Sequence, residues 1–151
     1  MTRSADSSVR RIVVGVDGSP SSLTALRWAI NEAERTGDTV EAVVAWEYSP
    51  AAGFDWAPMA VGYDVDRRAV ADKALTEAVD KAVGPDGQVA VERRVVEGYA
   101  ASVLVEESAD ADLLVVGTRG HGTFTEALLG SVSQNCAHHA KCPIVIVRGS
   151  K

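Results

Sequence analysis

Short apolar runs alternate along this chain with longer segments in which apolar residues recur every three or four positions. The first run, residues 11–16, is nearly continuous in β-branched residues, which is typical of a strand buried on both faces of a sheet. Ser19 and Pro20 then supply a helix N-cap and a proline at the first helical position. The helical spacing that follows is carried by Leu23, Leu26, Ile30 and Ala33. The pattern predicts a strand, a turn and a helix that ends at Gly37.

The same alternation continues to the end of the chain. Further strands are predicted at residues 40–46, 89–95, 113–116 and 144–147, and further helices at 66–83, 100–109 and 131–140. The strand at 89–95 is the most polar of these, which suits the edge of a sheet. Strict alternation of strands and helices predicts an α/β fold, a doubly wound five-stranded parallel sheet with helices on both faces.

Two segments lie outside this alternation. The first ten residues are polar and Ser-rich, so a disordered segment 1–10 is expected before one domain at 11–151. Residues 47–64 have no period and combine prolines and glycines with four aromatic residues, which predicts a long loop. A flap over a site and an insertion with its own small apolar cluster are both consistent with that loop.

Charge and composition exclude several classes of function. A formal net charge of −6 argues against broad binding to nucleic acid or to an anionic membrane surface, both of which need a basic face. No apolar run approaches the ~20 residues that span a bilayer. Two cysteines do not make a disulfide scaffold, and no apolar signal core opens the chain. We therefore expect a cytoplasmic protein that binds neither nucleic acid nor membrane.

The densest chemical signal comes between the fourth strand and the last helix. Gly117 and Gly120 follow the strand, and Gly130 precedes a helix whose first turn holds Ser131 and Ser133. Glycines let the backbone approach a ligand closely, and a helix N-terminus carries partial positive charge. With two hydroxyl donors added, this segment predicts a cradle for phosphate.

Several neighbours of this cradle have two possible roles. Arg119 and His121 are placed to reach outward phosphate oxygens, but both also suit a solvated surface. Ser131 and Gln134 have the spacing of a capping box, which would start the last helix at Ser131.

The end of the first strand is the second unusual place. Gly15, Val16 and Asp17 lead into the first helix, and Asp17 can accept a ribose hydroxyl, hold Mg²⁺ through water, or cap the turn. Trp46, at the end of the second strand, lies either beside an adenine ring or in the core. Ligands of such sheets bind where the strand order reverses, so one ligand shared by strands 1 and 4 predicts the order 3-2-1-4-5.

With these residues identified, the chain resembles the universal stress protein family, whose nucleotide-binding members carry G-x2-G-x9-G-[ST]. Gly117, Gly120, Gly130 and Ser131 match every position of this motif. The resemblance implies a Rossmann-like fold of the adenine nucleotide alpha hydrolase type, with ATP and Mg²⁺ between strands 1 and 4. It also implies a homodimer through the last strand, Ile144–Val147.

By the same resemblance, Gly15, Val16 and Asp17 lie along adenosine and Trp46 near adenine. The loop glycines surround ribose and phosphates together with Ser131, Val132 and Ser133. The implied function is an ATP-binding regulator of stress response or growth that is not an enzyme. The alternatives are a cyclic AMP-binding protein, a slow ATPase or nucleotidyl transferase, an interaction module with a vestigial site, and a metal or redox protein built on Cys136, His138, His139 and Cys142.

Overall fold

A computed structural model describes residues 9–47, 66–85, 87, 89–118 and 130–148 of the chain. Strands and helices alternate through these residues as predicted. The elements are β1 Arg11–Gly15, α1 Pro20–Thr36, β2 Thr39–Trp46, α2 Arg67–Val83, β3 Val91–Glu97, α3 Ala100–Ser108, β4 Leu113–Gly117, α4 Ser131–His139 and β5 Ile144–Val147. The predicted long loop and the first eight residues lie outside the described part, apart from Glu47.

The five strands form one sheet in the order β3-β2-β1-β4-β5, and every neighbouring pair is parallel. This confirms the predicted fold class and strand order. In the centre of the sheet, Val14 of β1 pairs with Ala42 on one side and Val115 on the other. The polar strand β3 lies at an edge, as its composition indicates.

Alternate residues of the strands supply two separate cores. On one face, Ile12 and Val14 pack with Leu26 of α1 and Leu75 of α2. On the other face, Val13 and Val43 pack with Leu104 of α3, and Cys136 of α4 joins the same cluster. Both faces of β1 are therefore buried, which explains its nearly continuous apolar run.

Most element ends agree with the predictions to within one residue, but one strand and one helix cap differ in ways that have a clear cause. Strand β3 begins at Val91 and extends to Glu97, because its pairing with β2 runs from Val40 to Trp46. The capping box at Ser131 is wrong: the N-cap of α4 is Gly130, whose carbonyl accepts the Gln134 N–H, and no side chain caps this end.

Ion pairs stabilise the amino end of the sheet. Asp38 accepts hydrogen bonds from the backbone N–H and the guanidinium of Arg10, and from Thr36 Oγ1. Arg11 Nη2 contacts both Glu41 of β2 and Glu107 of α3. Each of these charges has a partner of opposite sign.

The described helices and cysteines bear on two further expectations. None of these helices is long and apolar enough to cross a membrane. Within the described ranges, no group of three or more His, Cys, Asp or Glu side chains could hold a metal ion. Cys136 is fully buried, and burial raises the pKa of its thiol to about 11. The alternative of a metal site on the last helix therefore has no support in the described residues.

Candidate functional site

A cavity opens at the carboxyl end of the sheet, between β1 and β4. This is the point where the strand order reverses, because β1 connects through α1 to β2 on one side and pairs with β4 on the other. The cavity has a volume of about 60 Å³, which exceeds the ~10–15 Å³ that one water requires. The described residues that line it are Gly15, Val16, Asp17, Ser22, Val43, Ala45, Ala100, Leu104, Val116, Gly117, Val132 and Ser133.

Two distant parts of the chain meet in this cavity. Gly15, Val16 and Asp17 come from the end of β1, whereas Gly117, Val132 and Ser133 come from the end of β4 and the start of α4. The structure therefore brings together six of the residues singled out from sequence. Gly130 and Ser131 adjoin this group without lining the cavity, and Arg119, Gly120 and His121 lie outside the described residues.

Other parts of the chain approach the backbone closely at both glycines that line the cavity. A Cβ on Gly15 would lie 2.6 Å from Leu104 Cδ1, the end of a flexible side chain. A Cβ on Gly117 would lie 2.8 Å from the backbone C and O of Ser21, in the first turn of α1. The main chain of α1 leaves no room for a side chain at position 117.

The turn after β1 is held by its own side chains. Gly18 has a φ of 84°, which favours glycine, and the Ser19 N–H donates to Asp17 Oδ1 at 2.9 Å. One carboxylate oxygen of Asp17 therefore caps the turn, which is one of the roles predicted for this residue. Asp17 is also the only ionisable side chain among the described residues that line the cavity.

The base of the glycine-rich segment is closed by hydrogen bonds to one carbonyl. Thr118 O accepts from Gly130 N at 2.6 Å and from Ser133 Oγ at 2.9 Å. Ser133 Oγ also lies 3.0 Å from Gly130 O, so its single proton is shared between two backbone carbonyls. In this arrangement, the hydroxyl predicted to donate to phosphate instead joins the two ends of residues 119–129.

Two helices begin beside the cavity without a side-chain cap. The N-caps are Tyr99 for α3 and Gly130 for α4, and neither makes a capping hydrogen bond through a side chain. Helices α1 and α2 differ, since Ser19 and Asp66 cap them. The first-turn amides of α3 and α4 are therefore left for another acceptor, and the helix dipoles favour a negative one.

Trp46 lies on the other face of the sheet. Its ring packs against the core formed with α1 and α2, whereas the preceding residue, Ala45, lines the cavity. Successive side chains of a strand point to opposite faces, so the two cannot share one environment. The structure places the ring in the core, one of the two predicted locations, with Nε1 buried and without a hydrogen-bond partner among the described residues.

Sequence reasoning missed the apolar wall of the cavity and one polar residue. The wall is formed by Val43, Ala45, Ala100, Leu104 and Val116, and the polar residue is Ser22. The alternation of side chains along a strand could have identified part of this wall, because Val43 and Ala45 lie on the same face of the sheet as Gly15. No local pattern shows that α3 covers this face, since helix placement depends on the whole topology.

Comparisons with known proteins agree on one family. The model of the universal stress protein family matches residues 8–148. A universal stress protein of Mycobacterium tuberculosis, Rv2624c, is 30% identical over 148 residues, which cover 98% of this chain and 52% of that protein. The chain spans about half the length of the curated relatives it matches.

Solved structures show the same fold. A universal stress protein crystallised in complex with cAMP is 34% identical, with a TM-score of 0.69 over 95% of this chain and 100% of that one. The Archaeoglobus fulgidus universal stress protein in complex with dAMP has a TM-score of 0.65 at 23% identity, over 93% of this chain and 98% of that one. The family match over residues 8–148 and the shared sheet lead to one conclusion: the chain belongs to the universal stress protein family.

Proposed function

We propose that this chain binds an adenine nucleotide in the cavity between β1 and β4. The observation that carries the proposal is the meeting of two distant segments, Gly15 to Asp17 and Gly117 with Val132 and Ser133, around one cavity. That cavity lies at the reversal of strand order, where open parallel sheets bind ligands. The relative crystallised with cAMP, at 34% identity, supports an adenine nucleotide as the class of ligand.

Within that class, we propose ATP with Mg²⁺ as the ligand. The apolar wall offers contacts for the nucleoside, and the uncapped start of α4 offers amides to phosphate oxygens. Asp17 is suited to bind a ribose hydroxyl or to hold Mg²⁺ through water. Gly120, Arg119, His121 and Ser131 complete the proposed phosphate contacts, and Trp46 stays a proposed neighbour of the base only through its backbone.

The proposed role is regulation of stress response or growth in the cytoplasm through binding, without turnover. Hydrolysis of a nucleotide needs a base or another group that orients the attacking water. Asp17 is the single ionisable group that the described wall provides, and it is already hydrogen-bonded to Ser19. A slow ATPase stays an alternative on the same site.

We also propose that two copies pair through β5. This strand is at the sheet edge, and its four residues are all half-buried. An apolar edge strand presents unpaired N–H and C=O groups that a second strand can satisfy. Light scattering should then give twice the chain mass of 15.9 kDa, and a monomer at micromolar concentration would contradict the pairing.

Cyclic AMP is the second candidate, because the crystallised relative at 34% identity holds it. The two ligands make different demands: a triphosphate extends along α4 and residues 119–129, whereas a cyclic monophosphate needs one phosphate contact. ATP should therefore gain affinity from Mg²⁺, and cyclic AMP should not.

Calorimetric titration of nucleotide-free protein tests these proposals together. We expect ATP with Mg²⁺ to bind one site per chain, more tightly than ATP alone, AMP or cyclic AMP. Tighter binding of cyclic AMP would select the second candidate, and phosphate release above a buffer blank would select the ATPase. Absence of saturable binding of any of these up to millimolar concentration would overturn the nucleotide proposal.

A further inference from the structure

Ser22 donates two hydrogen bonds to Ser19 at the start of α1. The N-cap hydroxyl of Ser19 accepts the Ser22 N–H at 3.1 Å, and Ser22 Oγ donates to the Ser19 carbonyl at 3.1 Å. Ser22 is only 5% exposed, yet it lines the cavity. Its hydroxyl is therefore fixed at the wall of the site rather than free in solvent.

The same hydroxyl reaches Asp17. In an ordinary capping box, the side chain at the third helical position accepts the N–H of the N-cap residue. Here Asp17 Oδ1 accepts that N–H from Ser19 at 2.9 Å, and Ser22 Oγ instead accepts the Asp17 N–H at 3.2 Å. Asp17 is thus held at two points, by its carboxylate through Ser19 and by its backbone through Ser22.

The hydrogen-bonding capacity of a serine decides what Ser22 can do. A hydroxyl has one proton, and Ser22 donates it to the Ser19 carbonyl. Ser22 therefore has no donor left for a ligand. The second carboxylate oxygen of Asp17, Oδ2, accepts no hydrogen bond from the described residues, so Asp17 retains an acceptor at the cavity.

We infer that Ser22 is a positioning residue of the nucleotide site, which holds Asp17 against the cavity without itself contacting the ligand. This inference rests on the proposed function. Loss of the Ser22 hydroxyl leaves the Asp17 N–H without its partner and frees the turn between β1 and α1. Removal of the hydroxyl should then lower the affinity for the ligand, because Asp17 is no longer held against the cavity.

The test compares two hydroxyl deletions in the same helix. Ser22→Ala removes the hydroxyl that holds Asp17. Thr24→Ala is the matched control, because Thr24 Oγ1 donates to the Pro20 carbonyl within α1 and does not line the cavity. With ATP and Mg²⁺ as the titrant, we expect Ser22→Ala to weaken binding about fivefold, as for one net hydrogen bond. Thr24→Ala should change the affinity less than twofold.

A double-mutant cycle separates positioning from a general structural role. If Ser22 acts through Asp17, then Ser22→Ala should change the affinity less than twofold in an Asp17→Asn background. Thermal denaturation of each variant confirms that the titrated protein is folded.

The possible failures are distinct. A wild-type protein that binds no nucleotide overturns the proposed function and this inference with it. A wild type that binds, with Ser22→Ala indistinguishable from Thr24→Ala or additive with Asp17→Asn, overturns the inference alone.

Discussion

The polar groups at the two ends of the parallel sheet differ in whether they pair with other groups of the chain. At the amino end, charged side chains form ion pairs: Arg10 binds Asp38, and Arg11 lies between Glu41 and Glu107. At the carboxyl end, α3 and α4 begin without side-chain caps, and the cavity between β1 and β4 has one carboxylate in its described wall.

The contrast separates groups that stabilise the fold from groups that are available to a ligand. Charges paired with each other at the amino end satisfy their hydrogen-bonding capacity within the chain. First-turn backbone amides of α3 and α4, which no N-cap side chain satisfies, contribute little to the fold and are available for binding. We therefore expect variants at the amino end to change stability alone, and variants at the carboxyl end to change nucleotide affinity as well.

The largest effect is expected from Gly117→Ala. Because the added Cβ would lie 2.8 Å from backbone atoms of Ser21, either α1 or β4 must shift. Overpacking of this kind costs about 1–3 kcal/mol, and we expect the upper part of that range because the obstacle is main chain. The same shift disturbs both walls of the cavity, so affinity for ATP should fall at least tenfold. Chemical denaturation and calorimetry measure the two effects.

Gly37→Ala is the control for this prediction at the other end of the sheet. Gly37 has a φ of 77° and open space around the missing Cβ, so the substitution introduces backbone strain without a clash. It should cost about 1 kcal/mol of stability and leave nucleotide affinity unchanged. If both variants lowered affinity equally, the distinction between the two ends would be lost.

The second prediction concerns the dependence of stability on pH at Asp38. Burial acts to raise the pKa of this carboxyl, but hydrogen bonds from Thr36 and Arg10 outweigh it and hold the pKa below its ordinary value. A depressed folded-state pKa stabilises the fold above the unfolded value of about 3.9, and this contribution is lost as pH falls through the folded-state value.

Asp38→Asn should therefore destabilise the protein by about 1–2 kcal/mol at pH 7. The difference from wild type should begin to narrow below about pH 4, where the carboxyl of the unfolded chain takes up a proton, and should be lost as pH falls through the lower folded-state pKa. Denaturation by urea at pH 7 and at pH 3 measures it, and nucleotide affinity at pH 7 should stay unchanged. A difference in stability that stays constant across this range would show that the charge of Asp38 does not matter.

The fold was predictable from sequence because each element carries its own signal. The buried run before Gly15 and the Ser19-Pro20 start of α1 each identify an element from a few adjacent residues. Two predictions failed for different reasons: β3 is shifted because its ends are set by its pairing with β2, and the N-cap of α4 is Gly130 rather than Ser131, although the helix begins at Ser131 as predicted.

The candidate site was predictable only in part, for a related reason. Glycines and hydroxyls beside a strand end are local signals, so Asp17 and Gly117 were found. Leu104 and Ala100 reach the cavity because α3 packs across β1, and no short motif contains that information. Ser22 was missed because its partner is Asp17, and the bond becomes visible only when the turn around Gly18 is known.

The smallest expected effect is a change in the rate at which a thiol reagent labels Cys136, in the core beneath α4. Cys136 is fully buried, and burial raises the pKa of its thiol to about 11, so native protein at pH 8 should expose almost no thiolate there. Cys142 is partly exposed and should be labelled first by a thiol reagent. Labelling of Cys136 then requires α4 to open from the sheet.

Val132, which lines the cavity, lies one turn before Cys136 on the same face of α4. A nucleotide bound at the start of α4 should therefore oppose the opening that exposes Cys136. At four times the dissociation constant, ligand linkage slows that labelling about fivefold if the open form does not bind. Cys142 serves as the internal reference, because it is already partly exposed in the native state, and its rate should change less than that of Cys136. If saturating nucleotide left the Cys136 rate unchanged while calorimetry showed binding, the helix that bears the cavity wall would open without disturbing the site. The division between a binding end and a stabilising end of the sheet would then not extend along α4.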